Sequence, residues 1–171
     1  MASTYEPIAS TTLGSSAATV EFTSLSGSFT DLLIVAEIGT TGGGGNVQLQ
    51  VNSDTGSNYS HTLIQGNGTS VASARQSAGS SIDSRRIGRI EALAAANENF
   101  VNMVTFLSYA NTNVYKTYLA QSHSASTVSG VSRIVGLWQS TSAITSLSFD
   151  VEGSLNFRAG STFSLFGVKA A

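Results

Sequence analysis

The chain has 171 residues, enough for one domain with its own buried core, and no cysteine, so no disulfide or thiolate metal site is available to it. Only 11% of residues are charged, against roughly 25% in an average soluble domain, and the formal net charge is −2. That balance excludes the basic face that nucleic-acid binding requires. Short hydroxyl and amide side chains replace the missing charges. They lose little rotamer entropy when a partner covers them, and they lack the Lys/Glu density that keeps free monomers apart.

Strand signals recur every 10–15 residues or so along the chain. An extended segment runs from Thr4 to Leu13. Thr19 to Leu25 follows, with Val20 and Phe22 on one face. Asp31 to Ile38 is a continuous apolar run, which predicts a strand buried on both faces, with Val35 in the core. Val47-Gln48-Leu49-Gln50-Val51 alternates with period two. Tyr59 to Ile64, Ser81 to Ala92, Phe100 to Tyr109, Val114 to Gln121, Val131 to Trp138, Ala143 to Val151 and Thr162 to Val168 complete a set of 10–11 strands.

Turn chemistry separates them. Gly42 to Gly45 reads as a flexible tip, without the Lys-Ser/Thr and helix of a phosphate loop. Asn52 to Asn58 combines Asx residues with glycine, and Ala110 to Asn113 reads as a hairpin link. Helix propensity is confined to Ile90–Asn97. No linker or repeat divides the chain. The expected fold is therefore a single all-β domain over residues 1–171, an antiparallel β-sandwich of jelly-roll type, with an up-and-down barrel as the alternative. The first residues carry no basic and apolar leader, and the longest apolar run is far below the ~20 residues of a membrane span. These features lead to an expectation of synthesis in a cytoplasm and no membrane partner.

Catalytic chemistry finds little to work with. His61 and His123 fall on separate strands without metal-ligand spacing. No G-x-S-x-G elbow occurs, and no carboxylate pair stands out among ten acids. Asp54 and Asn58 resemble half of a calcium loop, but the bidentate Glu is missing. Arg85, Arg86 and Arg89 form the only basic cluster, with Arg85 and Arg89 on one strand face and Arg86 on the other, too small for a nucleic-acid patch. Trp138 follows an apolar run and reads as core. Two sequons, at Asn58 and Asn67, would matter only in a eukaryotic secretory path. The expectation is a non-enzyme with no cofactor and no metal.

Three stretches carry a resemblance. They are Gln50-Val51-Asn52-Ser53-Asp54-Thr55-Gly56-Ser57-Asn58-Tyr59-Ser60 with Leu63 to Gly68; Tyr109 to Thr117; and Gly136-Leu137-Trp138 with Ala143 to Leu147 and Ala159 to Val168. Together, from about Tyr5 to Val168, the chain resembles a module of tailed-phage virion proteins, frequent in phages of cyanobacteria and other aquatic bacteria. The resemblance implies a stand-alone structural module on the virion surface, made in the host cytoplasm. It would be a capsid decoration, cement or knob protein, a homo-oligomer (a trimer is expected) that contacts the major capsid protein. The family supplies no catalytic residues. A second reading is a receptor-binding or glycan-adhesion module of the tail, with Asp54, Asn58 and Tyr59 as the candidate glycan or partner contacts.

Overall fold

The computed structural model describes residues 4–42, 45–79, 85–90, 98–124 and 130–169. Twelve strands are present among them: β1 (Tyr5–Thr12), β2 (Thr19–Phe22), β3 (Asp31–Ile38), β4 (Gly45–Val51), β5 (Tyr59–Gly66), β6 (Val71–Gly79), β7 (Arg86–Ile90), β8 (Phe100–Phe106), β9 (Lys116–Ser124), β10 (Gly130–Trp138), β11 (Leu147–Val151) and β12 (Thr162–Val168). They form an antiparallel sandwich. One sheet has eight strands in the order β1-β12-β3-β8-β9-β10-β5-β6, and the other has four in the order β2-β11-β4-β7.

The strand order identifies the topology. β1, β12, β3 and β8 in one sheet face β2, β11, β4 and β7 in the other, and the steps β1–β2, β2–β3, β3–β4, β7–β8 and β11–β12 each change sheets. That is an eight-stranded jelly roll. Two inserted hairpins, β5–β6 and β9–β10, add to the β8 side of the larger sheet and zip together through the β10–β5 ladder.

The core is the inward-pointing half of each strand. Leu32, Ile34, Ile38, Leu49, Val104, Phe106, Phe149, Phe157, Phe163 and Leu165 are essentially inaccessible. Four rings, Phe22, Phe149, Phe163 and Phe157, run in sequence through it, with centroids 5.0–6.1 Å apart. Trp138 is 3% exposed, as its apolar approach predicted. Gly136 lies under the Tyr118 ring, where a Cβ would come within 1.8 Å of the ring carbon that bears the hydroxyl.

Several boundaries differ from the sequence reading. β3 alternates rather than being buried on both faces: Leu33 and Val35 point outward and are half-buried, while Leu32, Ile34 and Ala36 point in. β6 was not legible, because Val71-Ala72-Ser73-Ala74-Arg75-Gln76-Ser77 has one β-branched residue, Val71, and no aromatic. Of the expected strand at Ser81–Ala92, β7 is the described part; residues 81–84, 91 and 92 lie outside the described residues. So do 91–97 of the expected helix, whose first residue, Ile90, closes β7. Gly45 of the glycine run starts β4, and Gly43 and Gly44 are also outside.

The alternation in β3 generates a paired prediction. Ile34→Ala should cost about 3 kcal/mol through the cavity it leaves, whereas Val35→Ala should cost about 1 kcal/mol or less. Urea unfolding of both variants at equal slope checks the difference, and equal losses would place Val35 in the core.

Candidate functional site

The three sequence-predicted contact residues do come together, as a closed turn. The Asp54 carboxylate accepts the Gly56 backbone N–H (2.7 Å), the Asn58 side-chain amide (2.8 Å) and the Trp138 indole N–H (2.7 Å). The Tyr59 hydroxyl accepts from the Val51 N–H at 3.1 Å and lies 3.1 Å from the Asp54 carbonyl, to which it can donate. Tyr59 is 1% exposed, so its ring presents no face on which a sugar could stack. Asn52 and Ser53, both at positive φ, turn the chain out of β4, and the Asn52 side-chain oxygen accepts the Thr145 and Ser146 N–H groups. Asp54 is thus a structural bolt between the β4–β5 turn and the end of β10.

Its electrostatics follow. Burial acts to raise the Asp54 carboxyl, but the Trp138, Asn58 and Gly56 donors outweigh it, and the group lies below its usual value. Burial likewise pushes the Tyr59 hydroxyl up to about 12. Both Asp54 oxygens are engaged by N–H donors, which is the wrong polarity around a calcium ligand. Among the described residues no group of three or more His, Asp or Glu could hold a metal ion.

The other singled-out residues disperse. His61 is buried on β5 and His123 exposed on β9, with β10 between the two strands. Arg85 approaches Asp150 at 3.8 Å, and Arg86 is buried, donating to the Gln65 side chain at 2.9 Å. The side chain of Arg89 lies outside the described residues. In the exposed Asn67 turn, the side-chain oxygen accepts the Thr69 and Ser70 N–H groups.

Sequence reasoning missed a different surface, the outer face of β8, β9, β10, β5 and β6. The ladders align three rows across it. Thr105, Leu119, Val135, Thr62 and Arg75 form the first; Met103, Gln121, Arg133, Ile64 and Ser73 the second; Val101, His123, Val131, Gly66 and Val71 the third. Ile64, Val131 and Val135 are each more than half exposed, and Leu119 is 47% exposed. Met103, Leu119, Val135 and Ile64 line a shallow groove of about 450 Å³, with Arg133 at its margin. A more polar hollow of about 400 Å³ adjoins it, lined by Arg75, Gln76 and Gln139.

β10 is mixed in polarity on both faces. It buries Ser132 and Gly136 beside Ile134 and Trp138, while exposing Val131 and Val135 beside Arg133. β9 does the same in part, burying Ser122 and Ser124 and exposing Leu119. The Ser122 and Ser132 hydroxyls satisfy each other at 2.5 Å.

A second surface feature is the loop between β8 and β9. Tyr115 and Val114 are exposed at its tip, beside Asn111 and Asn113. Lys116 anchors the loop from below. Its side chain is fully buried, and its ammonium donates to the carbonyls of Asn111 (2.5 Å), Val114 (2.8 Å) and Thr141 (3.1 Å). Burial lowers its pKa.

No protein-family model matches the chain, and no curated protein sequence matches it.

The Asp54 bolt has a pH signature. Its carboxyl is depressed in the folded state, so its stabilisation is complete above the unfolded value near 4 and is lost as pH falls through the lower folded value. Asp54→Ala should cost about 2–3 kcal/mol at neutral pH and flatten the acid limb. Urea midpoints measured from neutral pH down to about 2 check this; a variant with an unchanged acid limb would assign the acid sensitivity elsewhere.

Proposed function

We propose that the chain is a non-enzymatic assembly subunit, a structural protein of a bacteriophage virion that strengthens the head as a decoration or cement protein. The observation that carries the assembly part is the outer face of β8, β9, β10 and β5. Four aliphatic side chains, Ile64, Leu119, Val131 and Val135, stand exposed there on a rigid sheet. Contiguous apolar surface rimmed by polar groups marks interaction sites in soluble proteins. The low charge of the chain supports the same reading, since few ions need desolvating when the surface is covered. The jelly roll is one of the architectures that capsid domains use, though it also hosts lectins, so the fold alone carries no function. The virion assignment rests on the resemblance of the turn-and-strand segments described above.

Immunogold electron microscopy of virus particles made from the genome that encodes this chain tests the location. Labelling should cover the head in many copies, and particles lacking the chain should rupture at a lower temperature. Unlabelled heads with an unchanged rupture threshold would overturn the reading.

One observation favours a second reading, glycan adhesion. Tyr115 is 54% exposed on a loop flanked by Asn111 and Asn113, and Lys116 holds that loop in place. An exposed ring beside amide groups suits sugar stacking. If this reading holds, Tyr115→Ala abolishes signal on a host-glycan array while leaving thermal stability unchanged. An array on which the wild-type chain gives no signal would eliminate it.

A further inference from the structure

The outer face of the larger sheet is chemically one-sided in a way that selects its partner. β5, β6, β8, β9 and β10 contain none of the ten acidic residues of the chain. They contain two exposed arginines, Arg133 on β10 and Arg75 on β6, both on the outer face and two strands, or about 10 Å, apart. Neither has an ion-pair partner among the described residues. Of the six other cations, Lys169 pairs with Glu6 at 2.8 Å, Arg85 faces Asp150, Arg86 donates to Gln65, Arg158 donates to the Glu98 carbonyl and the Asn99 side chain, and Lys116 is buried among carbonyls, while the side chain of Arg89 lies outside the described residues. Asp31 and Glu37, on the outward side of β3, accept bonds from the Ser108 N–H and the Asn99 amide.

We infer that this groove receives an acidic, aliphatic segment of a different protein, its carboxylates pairing with Arg133 and Arg75 and its apolar side chains covering Leu119, Val135 and Ile64. The inference rests on the assembly reading above and names the chemistry of its partner.

Two observations turn the choice away from a second copy of this chain. Face-to-face pairing about a twofold axis would press two copies of this face together, leaving four arginines with no carboxylate from these strands to offset them. The area is also small. Five strands about 4.8 Å apart and some seven residues long make a patch of roughly 20 by 24 Å, while a standard interface takes about 800 Å² from each partner. A glycan is disfavoured because the groove has no aromatic ring in its lining.

The probe is a synthetic peptide repeating Leu-Ser-Glu-Ser, which puts Leu and Glu on one face of an extended strand, together with its counterpart carrying Lys for Glu. Methyl NMR of the full chain reads binding at Ile64, Leu119 and Val135. The Glu peptide should shift these methyls in a salt-sensitive manner, and the Lys peptide should bind at least about tenfold more weakly. Arg133→Glu combined with Arg75→Glu should reverse the preference. Both positions are exposed, so the fold should survive, and circular dichroism verifies it.

Equal binding of both peptides, or a preference that the double substitution leaves intact, would overturn the inference. So would wild-type self-association in sedimentation velocity that Val135→Glu abolishes, because the occupant would then be a second copy. Methyls that neither peptide shifts, in a chain that still decorates particles, would overturn the partner chemistry and spare the assembly reading. Particles devoid of the chain would remove that reading, while the charge reversal still decides what the groove binds.

Discussion

A four-stranded sheet cannot cover an eight-stranded one. Strands sit about 4.8 Å apart, so the smaller sheet spans less than half the width of the larger, and everything unusual in this protein lies where the cover ends. The jelly-roll part, β1, β12, β3 and β8 against β2, β11, β4 and β7, is closed by an aromatic and aliphatic core. The inserted hairpins extend beyond it. β7 reaches over β9 and β10, whereas in β6 every side chain from Val71 to Ser77 is exposed except the half-buried Gln76. An extension with so little backing is held by its ladders, and its interior face mixes buried Leu63, Ala120 and Ile134 with hydrogen-bonding groups: Ser122 with Ser132 and Tyr118 with the Arg86 carbonyl, beside Asn102 of β8 with the Ile87 carbonyl.

The same constraint explains where the polar anchors fall. Lys116 and Trp138 stand opposite each other at one end of the β9–β10 ladder, and each fastens a loop. Lys116 collects three carbonyls from the 107–115 loop and Thr141. Trp138 donates to Asp54 and so ties the β4–β5 turn to β10. Buried polar groups of this kind cost stability when left alone and specify one arrangement when every partner is in place. The hairpins are therefore positioned from their ends, leaving the middle of the outer face free of constraints from within the fold.

Period-two alternation made most of the strands legible, and it did so best where one face met the core, as at Val47 to Val51. The jelly-roll class followed from strand number and spacing, but the order of the strands did not, because pairing is decided by contacts between segments far apart in sequence. β6 escaped because small residues carry almost no propensity. Val35 was misplaced for the opposite reason: Leu32 to Ala36 is apolar at every position, and a continuous run cannot tell a strand covered twice from one that is apolar on its exposed side. Asp54, Asn58 and Tyr59 are neighbours in sequence, yet the Asp54 carboxylate that gathers the turn is engaged by Trp138, some eighty residues away, which no local pattern reveals.

The misreading of Val35 and the missed groove are one phenomenon. β3, β9 and β10 carry aliphatic residues on both faces, Leu32, Ile34 and Ile134 inward and Val35, Leu119, Val131 and Val135 outward. A monomer gains nothing from this arrangement, because exposed branched aliphatics leave apolar surface in water at roughly 25 cal/mol per Å². The pattern makes energetic sense if the outer face is itself covered in the assembled state. The two arginines are then the charged side chains by which, among the described residues, this face discriminates between partners, since aliphatic contact alone is indifferent to what supplies it. Affinity would come from Leu119, Val135 and Ile64, and choice of partner from Arg133 and Arg75. A surface organised this way tolerates aliphatic exchange at the first three positions far better than charge reversal at the last two.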